Sequence, residues 1–213
     1  TEITAKSATV SALDPYQTFL HGFDEGVLSE DFKRTVRNFR FGDVTAARVH
    51  YALHETPKFR NGAEMDKTSF QRIFGTTADI DKQYAEMAQG LAPSDPFLWT
   101  ASWTKLDPTR APAGKHTLIM DTFVPVDLAN GDDWDRIAPA YIDDVMLRNL
   151  RQYTTNMDRD NIIGQYIETG PSLARANLCF YRGSTTGGER TLAQMGAFRP
   201  FPNYAQYRGP LKK

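Results

Sequence analysis

The chain has 213 residues, 40% of them hydrophobic and 12% aromatic, enough to bury one core or one core with a small appendage. Its 25 basic and 26 acidic residues leave a formal net charge of -1, which argues against nucleic acid or an anionic membrane surface and points to neutral or small partners. The single cysteine, Cys179, excludes an intrachain disulfide framework, and no apolar run approaches the roughly 20 residues that span a bilayer, so a soluble cytoplasmic protein is expected.

"TEITAKSATVSAL" alternates polar and small apolar residues up to Asp14-Pro15, where the proline disfavours helix at the residue before it. It reads as one or two short strands and lacks the charged-then-apolar pattern of a signal peptide. In "LSEDFKRTVRNFRFG", Ser29 is placed to cap a short helix, with Glu30 and Asp31 in the first turn and Phe32, Val36 and Phe39 on one face. "VTAARVHYAL" then alternates, with Ala47, Val49, Tyr51 and Leu53 pointing one way and Arg48 and His50 the other, as a strand with one buried and one polar face does.

"TTADIDKQYAEMAQG" has Thr76 and Asp79 at capping-box spacing and Ile80, Tyr84 and Met87 on one stripe, and it ends at Gly90, so a second helix is predicted. "FLWTASW" sets Phe97, Trp99, Ala101 and Trp103 against Leu98, Thr100 and Ser102, and "KHTLIMDTFVP" is apolar enough for a central strand, with "LDPTRAPAG" as the loop between them. The longest helix starts near Asp132 or Asp133, with Ile137, Tyr141, Val145 and Leu150 on its apolar stripe; Pro139 either marks its true first turn or kinks it. "NIIGQYIET" reads as a further strand, and from Pro171 to Gly188 the chain becomes glycine-rich and irregular. Strands, helices and strands again, without regular βαβ alternation, predict an α+β fold: a mixed, largely antiparallel sheet with helices packed on one face.

The chemistry legible in single motifs is sparse. There is no GxSxG elbow and no GxGxxG fingerprint, and "RGSTTGGE" (182–189) has the glycine density of a phosphate loop without its lysine, which leaves a flexible surface loop as the alternative. His21, His50, His54 and His116 lack the spacing of a metal site. Phe97, Trp99 and Trp103 either form core or line an apolar ligand cavity. Asp121, Asp127 and Glu168 show no acid–base motif and read as turn or solvated positions.

Four stretches in order, "VSALDPYQTFL" (10–20), "LDPTRAPAGKHTL" (106–118), "GGERTLAQMGAFRP" (187–200) and "PNYAQYRGPL" (202–211), resemble the phytoene desaturase-like FAD-dependent oxidoreductases, a family that includes carotenoid ketolases. The resemblance implies that residues 1–15 are strands leaving an FAD domain missing from this chain, 16–200 a substrate-binding domain, and 201–213 the lead-in to a closing flavin segment, also missing. It further implies FAD as cofactor of the intact protein but not of this stretch alone, and an apolar small-molecule substrate, with the FAD-binding domain of the same protein as partner. Membrane contact is not indicated. Arg199 and Arg208 match family arginines and are candidate cofactor-side residues at the domain interface. Gln194 and Met195 match the pair ahead of the Arg-Pro and, with Arg48, His50, Trp99 and Trp103, are the substrate-binding candidates. The sequence departs from the family in "LCFYRGSTTGGERTLAQM", where relatives often have a short glycine turn and a histidine. The alternative is a self-contained module that binds a small apolar ligand or docks a partner, without redox chemistry.

Overall fold

The computed structural model describes residues 4–206 and 209–211. Its elements run α1 (Glu30–Arg37), β1 (Val44–Leu53), α2 (Ala63–Lys67), β2 (Phe70–Ile73), α3 (Thr77–Ala88), β3 (Leu98–Ala101), β4 (His116–Pro125), α4 (Trp134–Tyr141), α5 (Arg148–Tyr153), β5 (Ile162–Glu168) and α6 (Gly170–Ala176), with short 3-10 and π turns between them. The chain forms two compact units, Asp43–Leu173 and the flanks up to Gly42 and from Ala174 onward.

The Asp43–Leu173 unit is built on a five-stranded sheet of order β2-β3-β4-β1-β5, with each neighbouring pair antiparallel. The α+β expectation holds. The pleat sends Ala47, Val49, Tyr51 and Leu53 of β1 and Leu118, Met120 and Val124 of β4 to one face, where they join Trp134, Tyr141, Ile142, Met146, Leu147 and Leu150 of the long helical run in one apolar core. That run starts at Asp133, whose side chain accepts from Asp135 N, and Pro139 lies inside α4 rather than in its first turn. Proline cannot donate to the preceding turn, and the ladder loosens into a π-helical stretch, Ile142–Leu147, before α5 resumes.

The α3 cap forms as the spacing predicts: Thr76 Oγ1 accepts from Asp79 N, and Asp79 Oδ2 accepts from Thr76 N at 2.7 Å. Thr76→Ala is expected to destabilise the protein by about 1 kcal/mol, checked as a lower urea midpoint at unchanged slope. The same helix sends Gln83 into the core, where its amide donates to Thr122 Oγ1 and Phe123 O and accepts from Phe97 N. Each polar atom of that buried amide thus has a partner.

Three expectations are corrected. Of the opening segment, residues 1–3 lie outside the described residues, and Thr4–Pro15 forms no strand. Residues 4–13 are exposed and pair with no neighbouring strand among the described residues, and an extended segment becomes a strand only when a ladder partner takes its backbone groups. β3 ends at Ala101, and after one further backbone bond from Ser102 N to Ser69 O the chain turns, so Trp103 lies in a 3-10 turn rather than on the Trp99 face. The region predicted to be irregular from Pro171 opens inside α6, whose first residue, Gly170, lies so close to Thr45 of β1 that an added Cβ would come within 2.9 Å of that side chain.

The flanking unit has its own core of Leu28, Phe32, Val36, Phe39, Phe41 and Phe201. Its rings meet edge to face, Tyr16 on Phe41 at 5.0 Å and Phe32 on Phe201 at 5.9 Å, the geometry that ring quadrupoles favour. Phe201 and Tyr204 therefore anchor the closing segment. The "RGSTTGGE" loop is strapped down: Glu189 N donates to Arg40 O, Ser184 Oγ to Phe41 O, and a Cβ on Gly188 would meet the Phe39 ring at 2.7 Å. Close packing against Phe39 accounts for that glycine.

Candidate functional site

The face of the sheet opposite the helices carries a row of charge. Strand register places Arg48 between Asp121 on β4 and Glu168 on β5, with His50 one step along β1. Arg48 Nε and Nη2 both donate to Asp121 Oδ2, at 3.0 and 2.8 Å; Arg48 Nη1 lies 3.6 Å from Glu168 Oε2, and His50 Nε2 is 3.0 Å from the same oxygen. The result is a carboxylate–guanidinium–carboxylate–imidazole chain across three strands. Burial pushes the Asp121 carboxyl above its ordinary range, with Arg48 pulling in the opposite direction.

Aromatic rings border the row. Trp99 pairs with Asp121 in register, stacks edge-on to Phe123 at 5.0 Å, and carries the Arg72 guanidinium 5.2 Å from its ring centroid. Its buried indole Nε1 has no hydrogen-bond partner among the described residues. The His50 ring lies 6.2 Å from that of Tyr166. The face thus combines apolar walls with the ion-paired Arg48, the Arg72 guanidinium over Trp99, and one imidazole. When Nε2 of a neutral His50 donates to Glu168, Nδ1 is left as an acceptor.

Of the residues predicted from sequence, Arg48, His50 and Trp99 come together on this face, and Trp103 does not join them. Asp121 and Glu168, expected in turns or solvated positions, instead lie on strands, partly buried and ion-paired. Asp121 is signalled by a lone carboxylate within the apolar β4, whereas Glu168, the last residue of the largely exposed β5, carries no such signal. The other described candidates belong to the flanking unit. Gln194 is committed to the backbone, accepting from Arg40 N at 2.7 Å and donating to Arg40 O at 2.9 Å. Met195 and Arg199 are exposed and line a cavity in that unit. Arg208 lies outside the described residues.

No helix among the described residues is long and apolar enough to cross a membrane. No family model matches the chain. It is 29% identical over 222 aligned positions to a limonene dehydrogenase subunit of Castellaniella defragrans, a match covering 99% of this chain and 40% of that protein. It is 30% identical over 132 positions to pyridine nucleotide-disulfide oxidoreductase domain-containing protein 2 of Rattus norvegicus, covering 61% of this chain and 22% of that protein, and 30% identical over 137 positions to its Mus musculus counterpart. The chain is thus related to proteins named as oxidoreductases, and it spans less than half the length of each.

Proposed function

We propose that the charged face of the Asp43–Leu173 sheet is the substrate-facing wall of an FAD-dependent oxidoreductase that moves a hydride between an apolar organic substrate and flavin. The observation that carries this reading is the Asp121–Arg48–Glu168–His50 row bordered by Trp99 and Phe123. The oxidoreductase names of the relatives support it. The motifs between Val10 and Leu211 support kinship with the phytoene desaturase-like flavoproteins.

The described residues do not fit FAD itself. The sheet is antiparallel throughout and has no strand, glycine loop and helix crossover of the kind that holds a pyrophosphate at a helix N-terminus. On this reading the cofactor is held outside the described residues, where it would supply the hydride acceptor or donor. This chain's own residues bind and shield the substrate. Trp99 and Phe123 offer it apolar surface, and Arg48 holds Asp121 and Glu168 in place. His50 is the side chain on this face suited to take up the proton that a dehydrogenation releases.

The test is the protein produced with all of the coding sequence flanking these 213 residues. Oxidised-flavin absorption is expected, and it should bleach when apolar substrates, limonene first among them, are added without oxygen. His50→Gln should slow the bleaching at least about tenfold at unchanged flavin content. Absence of flavin, or an unchanged rate in the variant, would overturn the reading.

A further inference from the structure

A second candidate site lies in the flanking unit and shares no residue with the charged face of the sheet. A cavity of about 570 Å³, within the range that holds small organic molecules, opens between the Ala12–Pro15 turn and the strapped loop. Asp14 lines it and is only 7% exposed. Its Oδ1 is occupied, accepting from Tyr16 N at 2.7 Å and Gln17 N at 3.0 Å. Its Oδ2 is buried and has no hydrogen-bond partner among the described residues. A carboxylate oxygen taken out of water without a donor is costly, and an N–H donor arriving with a ligand relieves that cost.

The rest of the lining says what else the ligand carries. Arg190 and Arg199 both contribute to the cavity, are exposed, and form no ion pair among the described residues. Glu189, the other carboxylate of the lining, is ion-paired through Oε2 with Arg40 at 3.1 Å, although that buried oxygen accepts no aligned hydrogen bond among the described residues. Phe39, Phe180 and Met195 supply apolar surface. One acceptor for a donor, two free guanidinium groups for an anion, and apolar walls together match a molecule with charges of both signs on an apolar body.

We propose that this cavity binds a small zwitterion of the amino-acid class, with its ammonium group at the Asp14 carboxylate, whose side chain turns to present Oδ2 to the cavity, its carboxylate at Arg190 and Arg199, and its side chain against Phe39, Phe180 and Met195. A single-charge ligand would satisfy only half of the site.

The test is calorimetric titration of the whole chain with L-phenylalanine, with 3-phenylpropionate, which lacks the ammonium group, and with phenethylamine, which lacks the carboxylate. Phenylalanine should bind at least about tenfold more tightly than either. Asp14→Asn keeps an acceptor for Tyr16 N and Gln17 N but can place an amide donor where Oδ2 was, so it should fold and lose at least about tenfold in phenylalanine affinity. Arg199→Gln, at an exposed position, should weaken phenylalanine binding and leave phenethylamine binding unchanged. Absence of binding, equal binding of the three probes, or undiminished affinity in Asp14→Asn would overturn the assignment. None of these outcomes depends on flavin content, so failure here and failure of the oxidoreductase reading are distinguishable.

Discussion

Trp134→Ala is expected to lower the unfolding free energy by about 4 kcal/mol, at the upper end of large-to-small core substitutions. Trp134 is 2% exposed and sits on the first turn of α4, directly after its cap. Its indole Nε1 donates to Pro125 O at 2.7 Å, tying the start of the helix to the last residue of β4. The ring packs edge-on against Tyr141 at 5.4 Å, and the Tyr141 hydroxyl donates to Pro93 O, so one cluster joins helix, strand and loop. Alanine would leave a cavity that this cluster cannot fill and strand the Pro125 carbonyl. Trp134→Phe restores most of the volume but not the donor, and should cost about 1–2 kcal/mol. Urea unfolding followed by far-UV circular dichroism checks both. A loss below about 1 kcal/mol for Trp134→Ala would show that the helix docks without this anchor.

The features legible in the sequence are those whose signal is local. The α3 capping box needs only Thr76 and Asp79 three residues apart, and it forms as spaced. β1 separates Arg48 and His50 from Val49, Tyr51 and Leu53 within ten residues, because one face of an antiparallel sheet is packed and the other is not. β2 escapes a sequence reading for a related reason. Its inward residue Gln71 is polar, and the amide is satisfied only in the fold, by Thr68 and Thr100, so a four-residue strand shows no apolar alternation. The candidate site is half legible. Arg48 and His50 announce a polar face, but Asp121 stands 73 residues from Arg48 and Glu168 stands 118 from His50, and strand register alone makes them neighbours. Trp103 shows the converse error. A period of two in the side chains continues past the point where the pairing that makes a strand has run out.

Arg48→Leu tests that charged row, with an expected loss of about 2 kcal/mol at neutral pH. Removing one partner of a fully buried ion pair costs roughly 3–5 kcal/mol, and partial exposure reduces that figure here. Arg48 retains 31% side-chain exposure, Asp121 15% and Glu168 23%. Leucine replaces part of the arginine stem, so the loss reports chiefly the two carboxylates left without the guanidinium between them. The pH dependence separates charge from packing. Burial raises the Asp121 carboxyl above its unfolded value, so its contribution to stability is fully present below that value and is lost as pH rises through the folded one. Arg48 limits that loss by favouring the carboxylate. Without it the folded value climbs further, and the gap between wild type and variant should open as pH rises from about 3 to 7 and close again on acidification. Adding Asp121→Asn to Arg48→Leu should recover part of the stability, because a neutral amide no longer needs the guanidinium. A gap that stays constant with pH, and no recovery in the double variant, would mean that Arg48 acts through its stem alone and that the row is not an electrostatic unit.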